Sequence, residues 1–466
     1  MPEPPPSPSS TSPPPSKSAL HATALESARS ASARRYAAVV PGGVRTSIGR
    51  ANEPARDRAL AARADALRAS LNTVQGASSA AMAYEYASVL QEQAERCAPE
   101  DARLRDELTI RACDAYNTAA RASVKGANGA SGGADQASAS THAVLYNWAI
   151  ALGDRAARAH SSGDAQSARH LYDEAIDKYT QATKHVNMGS GGIITRRGDG
   201  VTTQQATQAL NNLGLAYQSR AQCVDFASTT TVEDVQRERL ERVGFLTHAV
   251  DKFRRALRLE PCFDRGVYNL GTATYALNAE FAALKATAVG TPREDDASYG
   301  DKSHEYAAAS AVYVALAFAN APSNAVYTQS FALVKHVLPK PFLLDATFTI
   351  DRRRGAGIRV VVDAHRLRTM PRDADDDTEN DSHARCDVEI DIDLADIASC
   401  EPVSDASLAP GVASVALAAR AAAAPITLFS TENARTRDVW VDAITLAASL
   451  ARRHRQRALD VILADD

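Results

Sequence analysis

Four asparagine side chains have the type and spacing to hold a protein partner. They precede or flank large residues in segments of helical periodicity, and they are Asn147, Asn211, Asn212 and Asn269. An amide offers both a donor and an acceptor, so it can hydrogen-bond a peptide backbone irrespective of the peptide's sequence. The sequence therefore predicts a peptide-binding surface at these positions. The alternative is that the amides satisfy neighbouring turns of their own chain.

A second candidate site is a cluster of arginines. Arg352, Arg353 and Arg354 are consecutive, and Arg359 follows shortly after them. Guanidinium groups bind phosphate through paired hydrogen bonds, so the cluster predicts an anion site. Two observations oppose this interpretation: a basic turn is more commonly plain solvated surface, and the acidic segment 373–381 lies nearby in sequence.

Catalytic and metal-binding patterns are not recognisable. The 11 histidines include no pair at metal-ligand spacing on one helix, and no nucleophile elbow, kinase signature or paired-carboxylate arrangement occurs. The acidic segment 373–381 lacks the glycine and spacing of a calcium loop. The six cysteines have no paired short spacing, which indicates reduced thiols. We therefore expect a non-enzymatic protein that holds no cofactor or metal.

Composition restricts the class of protein. A chain of 466 residues is long enough for two or three domains, and an aromatic content of only 6% favours tightly packed helices. The formal net charge of −4 supplies no overall field that attracts nucleic acid, so we expect no nucleic-acid partner. No run of about 18 apolar residues occurs, so we expect no transmembrane segment.

One packing pattern recurs in the elements that carry the asparagines. Each of two predicted first helices places a large apolar residue before a glycine, as in Leu213-Gly214 and Leu270-Gly271. The missing side chain lets a second helix approach closely. The second helix carries small, large and small residues four and three apart on one face and then stops at a proline, at Ala249, Phe253, Ala256 and Pro261.

These residues resemble the tetratricopeptide repeat, a helix-turn-helix unit of about 34 residues. The same four-and-three spacing recurs in degenerate form in two earlier segments, at Ala112, Tyr116 and Ala119 and at Ala168, Tyr172 and Ala175. Segments 187–203, 224–240 and 289–301 are expected to be inserted loops. The resemblance implies an α–α superhelical solenoid of about four repeats over residues 54–339, with a groove lined by first helices that binds protein.

After Pro341 the periodicity changes from helical to two. Strands are predicted at 342–350, 358–364, 388–394, 397–403, 412–418 and 426–429, and one helix is predicted at 436–459. The order resembles a pleckstrin-homology domain in three segments: Ile392-Asp-Leu-Ala-Asp-Ile397, Ile426-Thr-Leu-Phe-Ser-Thr431 and Arg437-Asp-Val-Trp440-Val-Asp-Ala-Ile444. The resemblance implies a β-sandwich or barrel over 340–459, capped by a C-terminal helix whose Trp440 fills the core. Lipid-binding members carry basic residues beside the first hairpin, which is where this chain has its arginine cluster.

The whole arrangement is similar to a family of plant and green-algal repeat proteins, and it predicts a multidomain α + β chain. Residues 1–53, rich in Pro, Ser and Arg, are predicted to be disordered, and 460–466 to be a tail. The favoured function is a scaffold or adaptor that binds a protein or peptide in the groove. The alternative is a peripheral membrane adaptor that binds phosphoinositides. The expected location is the cytoplasm, with a plastid or another organelle as the alternative.

Overall fold

The described part of the chain is mostly helical. The computed structural model describes residues 53–73, 77–127, 134–184, 201–224, 231–287, 294–338, 347–348, 358–371, 391–403, 413–420, 427–431 and 433–463. Its α-helices are α1 (Glu53–Leu71), α2 (Ala77–Arg96), α3 (Ala102–Ala127), α4 (Ala134–Ser161), α5 (Ala165–Thr183), α6 (Thr203–Gln222), α7 (Val232–Leu259), α8 (Asp264–Thr287), α9 (Glu294–Asn320), α10 (Ala325–Val334), α11 (Ala434–Arg452) and α12 (Gln456–Leu463). Apart from Glu53, the segment predicted to be disordered lies outside these residues.

Eight of these helices pack as four neighbouring pairs. The pairs are α2 with α3, α4 with α5, α6 with α7 and α8 with α9. We call the first member of each pair a first helix and the other a second helix. First helices of successive pairs also contact one another. Helix α1 precedes the stack on α2, and α10 follows it on α9.

The predicted close approach of paired helices occurs at both glycines. A Cβ atom added to Gly214 would lie 2.5 Å from Phe253 Cε1, so the ring of α7 occupies the space of the missing side chain. At Gly271 an added Cβ would lie 3.3 Å from the backbone nitrogen of Val314 in α9. Phe253 is fully buried. Even an alanine at Gly214 would force the Phe253 ring or the second helix to shift.

Two segments predicted as loops are partly helical. Helix α7 begins at Val232, so only the first part of the expected insertion 224–240 precedes it. Thr231 caps the helix, because its hydroxyl accepts a hydrogen bond from the Asp234 nitrogen at 3.1 Å. Glu233 and Asp234 then lie in the first turn, where negative charge is favourable. Helix α9 likewise begins at Glu294, inside the expected loop 289–301.

The C-terminal region contains two small antiparallel sheets. Strands β1 (Thr347–Phe348), β2 (Ile358–Val362), β3 (Arg366–Pro371) and β4 (Asp391–Asp393) form the first sheet, and β5 (Ile397–Val403), β6 (Ala413–Ala419) and β7 (Thr427–Thr431) form the second. Strands follow one another in chain order within each sheet. Representative partners are Val360 with Thr369 and Val415 with Phe429.

Strand β3 was not predicted. It follows β2 through a turn in which Asp363 Oδ1 accepts hydrogen bonds from the backbone nitrogens of His365 and Arg366, each at 2.7 Å. Such a side-chain-to-backbone turn is a common way for aspartate to reverse the chain. The local signal for the strand is the alternation of charged and apolar residues at the start of Arg366–Pro371. Its two arginines make the segment too polar for the apolar pattern to stand out.

The single helix predicted at 436–459 was wrong, because the chain forms two helices. Helix α11 ends at Arg452, and His454 adopts a positive φ of 56°. The nitrogen of Arg455 donates to the carbonyl of Leu450, and that of His454 donates to the carbonyl of Ala451. This is the Schellman pattern that ends helices. Helix α12 then continues into the predicted tail 460–466, where Ile462 is fully buried.

The buried apolar residues form two main clusters. One joins α1 to α6 and includes Leu90, Tyr116 and Leu152. The other runs from α6 and α7 through α10 into α11 and both sheets, and it includes Phe253 and Trp440. Trp440 is 3% exposed, in keeping with its expected place in a core. The later part of the helical stack, from α6 onward, and the C-terminal region therefore share one apolar core.

Candidate functional site

The four predicted asparagines lie at junctions between neighbouring first helices. Their hydrogen bonds run from Asn147 Nδ2 to the Tyr84 hydroxyl (2.7 Å), from Asn212 Nδ2 to the Tyr146 hydroxyl (2.6 Å) and from Asn269 Nδ2 to Asn211 Oδ1 (2.8 Å). The amides are therefore satisfied within their own chain, as in the alternative interpretation, although mainly by neighbouring helices and not by neighbouring turns. We call this series of bonds the cross-helix ladder.

The ladder keeps one register along the stack. Asn212 and Asn269 each meet the residue that directly precedes the corresponding asparagine of the helix before, at Tyr146 and Asn211. Asn147 meets Tyr84 in the same register, although the residue after Tyr84 on α2 is Glu85 and not an asparagine. The register continues into α10, where the hydroxyls of Tyr268 and Ser330 lie 3.0 Å apart. Helix α10 thus takes the position of a further first helix at the end of the stack.

The ladder lies on a face formed by the first helices α4, α6 and α8. Residues three and seven positions after each ladder asparagine lie on the same side of a helix. They define what we call the first-helix face, which consists of Asn147, Ile150 and Asp154 on α4, Asn212, Leu215 and Ser219 on α6, and Asn269, Thr272 and Ala276 on α8.

Exposure differs along this face. All six residues on α4 and α6 are half-buried, whereas Asn269 is 9% and Thr272 only 1% exposed on α8. Asn211, the fourth predicted asparagine, is 2% exposed and donates to Asn212 Oδ1 at 3.3 Å. The α4 and α6 part is therefore the accessible one. Contact between these asparagines and a peptide backbone stays a prediction.

Asp154 is the charged residue of the accessible part, and sequence reasoning missed it. Its carboxylate makes no hydrogen bond or ion pair with any described residue. Burial raises the pKa of this carboxyl to about 6, and Arg158 opposes the shift. The guanidinium of Arg158 lies 3.5 Å from Asp106 and donates to Thr109, both on α3. A single acidic residue between Leu152 and Ala156 of a largely apolar segment was the available signal.

A second polar cluster lies between second helices and α11. Arg254 on α7 contacts Asp442 on α11 through Nε at 2.7 Å and also contacts Asp438 at 3.3 Å. Tyr313 on α9 donates its hydroxyl hydrogen to Asp442 Oδ2 at 2.6 Å. We call this cluster of Arg254, Tyr313, Asp438 and Asp442 the buried junction. It fixes α11 to the second helices α7 and α9.

Burial controls the electrostatics of the junction. The side chain of Asp442 is 5% exposed and that of Arg254 is 16% exposed. Burial raises the pKa of the Asp442 carboxyl, and the guanidinium of Arg254 opposes that shift. Burial likewise raises the pKa of the Tyr313 hydroxyl well above its ordinary value. The junction is therefore an ion pair with a neutral tyrosine donor.

Further contacts extend the docking surface along α9. Arg435 lies 2.9 Å from Glu305, Arg453 donates to Asn320 Oδ1, and Arg455 donates to the Asn320 carbonyl at 2.6 Å. All of these partners belong to a second helix. The C-terminal region thus docks on second helices and leaves the first-helix face of α4 and α6 uncovered by these contacts.

The predicted phosphate-binding arginines are only partly within the described structure. Arg352, Arg353 and Arg354 and the acidic segment 373–381 lie outside it, and Arg359 lies in β2, between its partners Thr347 and Met370. On the adjacent strand, Arg366 and Arg368 are paired with carboxylates of Asp391 and Asp363. Their charge is therefore compensated, and anion binding by the predicted arginines stays a prediction.

The comparisons with known proteins assign no family. The chain matches no family model, and no curated protein matches it with significant similarity. Among the described residues, no three His, Cys, Asp or Glu side chains are grouped so that they can hold a metal ion. None of the helices described is both long and apolar enough to cross a membrane.

Proposed function

We propose that this chain is a non-enzymatic adaptor that binds a protein segment on its first-helix face and makes a second contact through its C-terminal region. The observation that carries the proposal is the recurrence of the cross-helix ladder in one register over successive helix pairs. Such repetition is typical of tetratricopeptide-like solenoids, which present their first helices to peptides and partner helices.

The placement of the C-terminal region supports the same proposal. Its contacts lie on α7 and α9, which are second helices. A bound partner on α4 and α6 would therefore meet no competition from this docking. Within the described residues, two antiparallel sheets of four and three strands followed by α11 and α12 are compatible with a pleckstrin-homology-like module. We propose that this module supplies the second contact.

Position-specific photo-crosslinking in the full chain tests which face binds a partner. A benzophenone amino acid replaces Ser219 on the first-helix face, and in a matched variant it replaces Asp251 on the exposed side of α7. In extract from the source cells we expect a discrete crosslinked partner from position 219 and at least several-fold less from position 251. Equal labelling from both positions, or none from 219, would contradict the proposal.

Vesicle flotation of the full chain tests the membrane alternative. Vesicles of phosphatidylcholine with and without phosphoinositide are compared at low salt, where charge interactions are strongest. The adaptor proposal requires no lipid, so it expects no phosphoinositide-dependent flotation. Flotation that is lost when Arg352, Arg353 and Arg354 are replaced by alanine would instead establish a peripheral membrane adaptor.

A further inference from the structure

We propose that the α4 and α6 part of the first-helix face takes a protein segment that places a lysine or arginine beside an apolar residue, with the cation paired to Asp154. The proposal rests on the proposed adaptor function and adds the chemistry of the partner. It predicts which sequences the face selects and which it rejects.

The need for a cation follows from the state of Asp154. A carboxylate that is half-buried and makes no ion pair or hydrogen bond within the described structure loses hydration that is not fully compensated. The raised pKa records this cost. Arg158 relieves the cost only in part, because Arg155 and Arg158 both lie near Asp106, at 3.6 and 3.5 Å. Charges that cost stability and lack a partner are concentrated at functional sites.

The other carboxylates of the neighbouring first helix are already paired. Glu85 and Glu92 on α2 accept from Arg63 and Arg56 of α1. These two carboxylates are therefore less available than that of Asp154 to pair with a cation of the partner. None of the nine residues that define the first-helix face is basic. An acidic segment would meet the negative charge of Asp154, which Arg158 offsets only in part, so charge complementarity favours a basic segment.

The apolar part of the recognition comes from the row next to the ladder. Ile150 on α4 and Leu215 on α6 occupy corresponding positions, three residues after their ladder asparagines, and both are half-buried. Lysine and arginine bury their aliphatic stems on such surfaces while the charged end reaches a carboxylate. An adjacent apolar residue of the partner would cover the remaining exposed area of Ile150 and Leu215.

Selection from a random peptide library tests this chemistry even though the natural partner is unidentified. Phage that display random 12-residue peptides are selected on immobilised full chain, on Asp154→Asn and on the control Asp251→Asn. Asp251 is an exposed carboxylate of α7, paired with Lys252 and placed away from the first-helix face. The variant Ile150→Asn, which removes apolar surface without adding charge, marks peptides that use the face.

Three outcomes are distinguishable. The proposal expects peptides enriched in lysine or arginine with apolar neighbours, whose affinity falls about tenfold in Asp154→Asn and is unchanged in Asp251→Asn. Peptides that lose binding in Ile150→Asn but are not basic, or do not respond to Asp154→Asn, would overturn this inference and leave the adaptor function standing. If no selected peptide responds to Ile150→Asn, the adaptor function itself fails, and the inference fails with it.

Discussion

The cross-helix ladder and the buried junction both place polar groups between packed helices, but they use different chemistry. The cross-helix ladder uses neutral amides and hydroxyls and stays half-buried on α4 and α6. The buried junction uses full charges and is closed by the C-terminal helix. Charges removed from water need complete pairing, whereas a neutral hydrogen bond tolerates partial exposure. The comparison indicates that the junction is built to be permanent and the ladder face to remain available.

The largest expected effect comes from opening the junction. Asp442→Ala leaves the buried guanidinium of Arg254 without its main partner and the Tyr313 hydroxyl without its acceptor. Removal of one member of a buried ion pair typically costs about 3–5 kcal/mol of unfolding free energy. Urea unfolding of the full chain measures this loss of unfolding free energy.

A double replacement separates the charge from the packing at the same position. Arg254→Met with Asp442→Leu removes both charges, so it should be much less destabilising than Asp442→Ala alone. If Asp442→Ala unfolds no more easily than wild type, the junction does not hold the C-terminal helix, and the contrast between the faces disappears.

A smaller loss is expected when a helix pair is forced apart. Gly214→Ala places a Cβ atom within 2.5 Å of the Phe253 ring, and overpacking of this kind costs about 1–3 kcal/mol. The matched control is Gly244→Ala in α7, where an added Cβ meets no atom within 4 Å. Since alanine favours helix, that variant should gain about 0.5–1 kcal/mol. Thermal unfolding of both variants checks the opposite signs.

The ladder face should gain stability when its uncompensated charge is removed. At pH 7.5 the Asp154 carboxylate is ionised against a pKa raised from 3.8 to about 6. Asp154→Asn should therefore raise the unfolding free energy by about 1–2 kcal/mol, reduced from the full shift because the residue is half-buried. Protonation of Asp154 stabilises the folded wild type. The difference in unfolding free energy between Asp154→Asn and wild type therefore shrinks from pH 6 downward and vanishes below about pH 4. Thermal melts across this range follow it.

Asp177 provides a control of opposite sign. Burial alone would raise its pKa, but hydrogen bonds from Gln181 and Lys178 lower it below the ordinary value. Asp177→Asn should therefore lower the melting temperature slightly at pH 7.5. If Asp154→Asn behaved like Asp177→Asn, a partner for Asp154 would exist within the chain, and the proposed recognition of a cation would be contradicted.

The smallest effect is expected in the ladder itself. Asn212→Ala removes the 2.6 Å bond to the Tyr146 hydroxyl, and the net contribution of such a bond is about 0.5–1.5 kcal/mol. Asn147→Ala should cost a similar amount. Chemical unfolding that shows losses as large as those of Asp442→Ala would indicate that the ladder is a structural core and not an accessible face.

Local sequence patterns predicted the helix pairs well, because their signals lie within one helix. The Leu213-Gly214 step and the small-large-small spacing around Phe253 specify both the facing surfaces and the closeness of approach. Where local signals conflicted, prediction failed. Polar composition hid the first turns of α7, and the left-handed conformation of His454 split a helix that periodicity had joined.

The sequence by itself therefore determined most of the helices and their pairing, since periodicity, caps and glycines act over one or two turns. It also marked the ladder asparagines as unusual, but not their partners. Only the tertiary structure decided that Asn147 meets Tyr84, 63 positions away, and that Arg254 meets Asp442, 188 positions away. The tertiary structure also determined the desolvation cost of the Asp154 carboxylate, because desolvation depends on every element packed around a group.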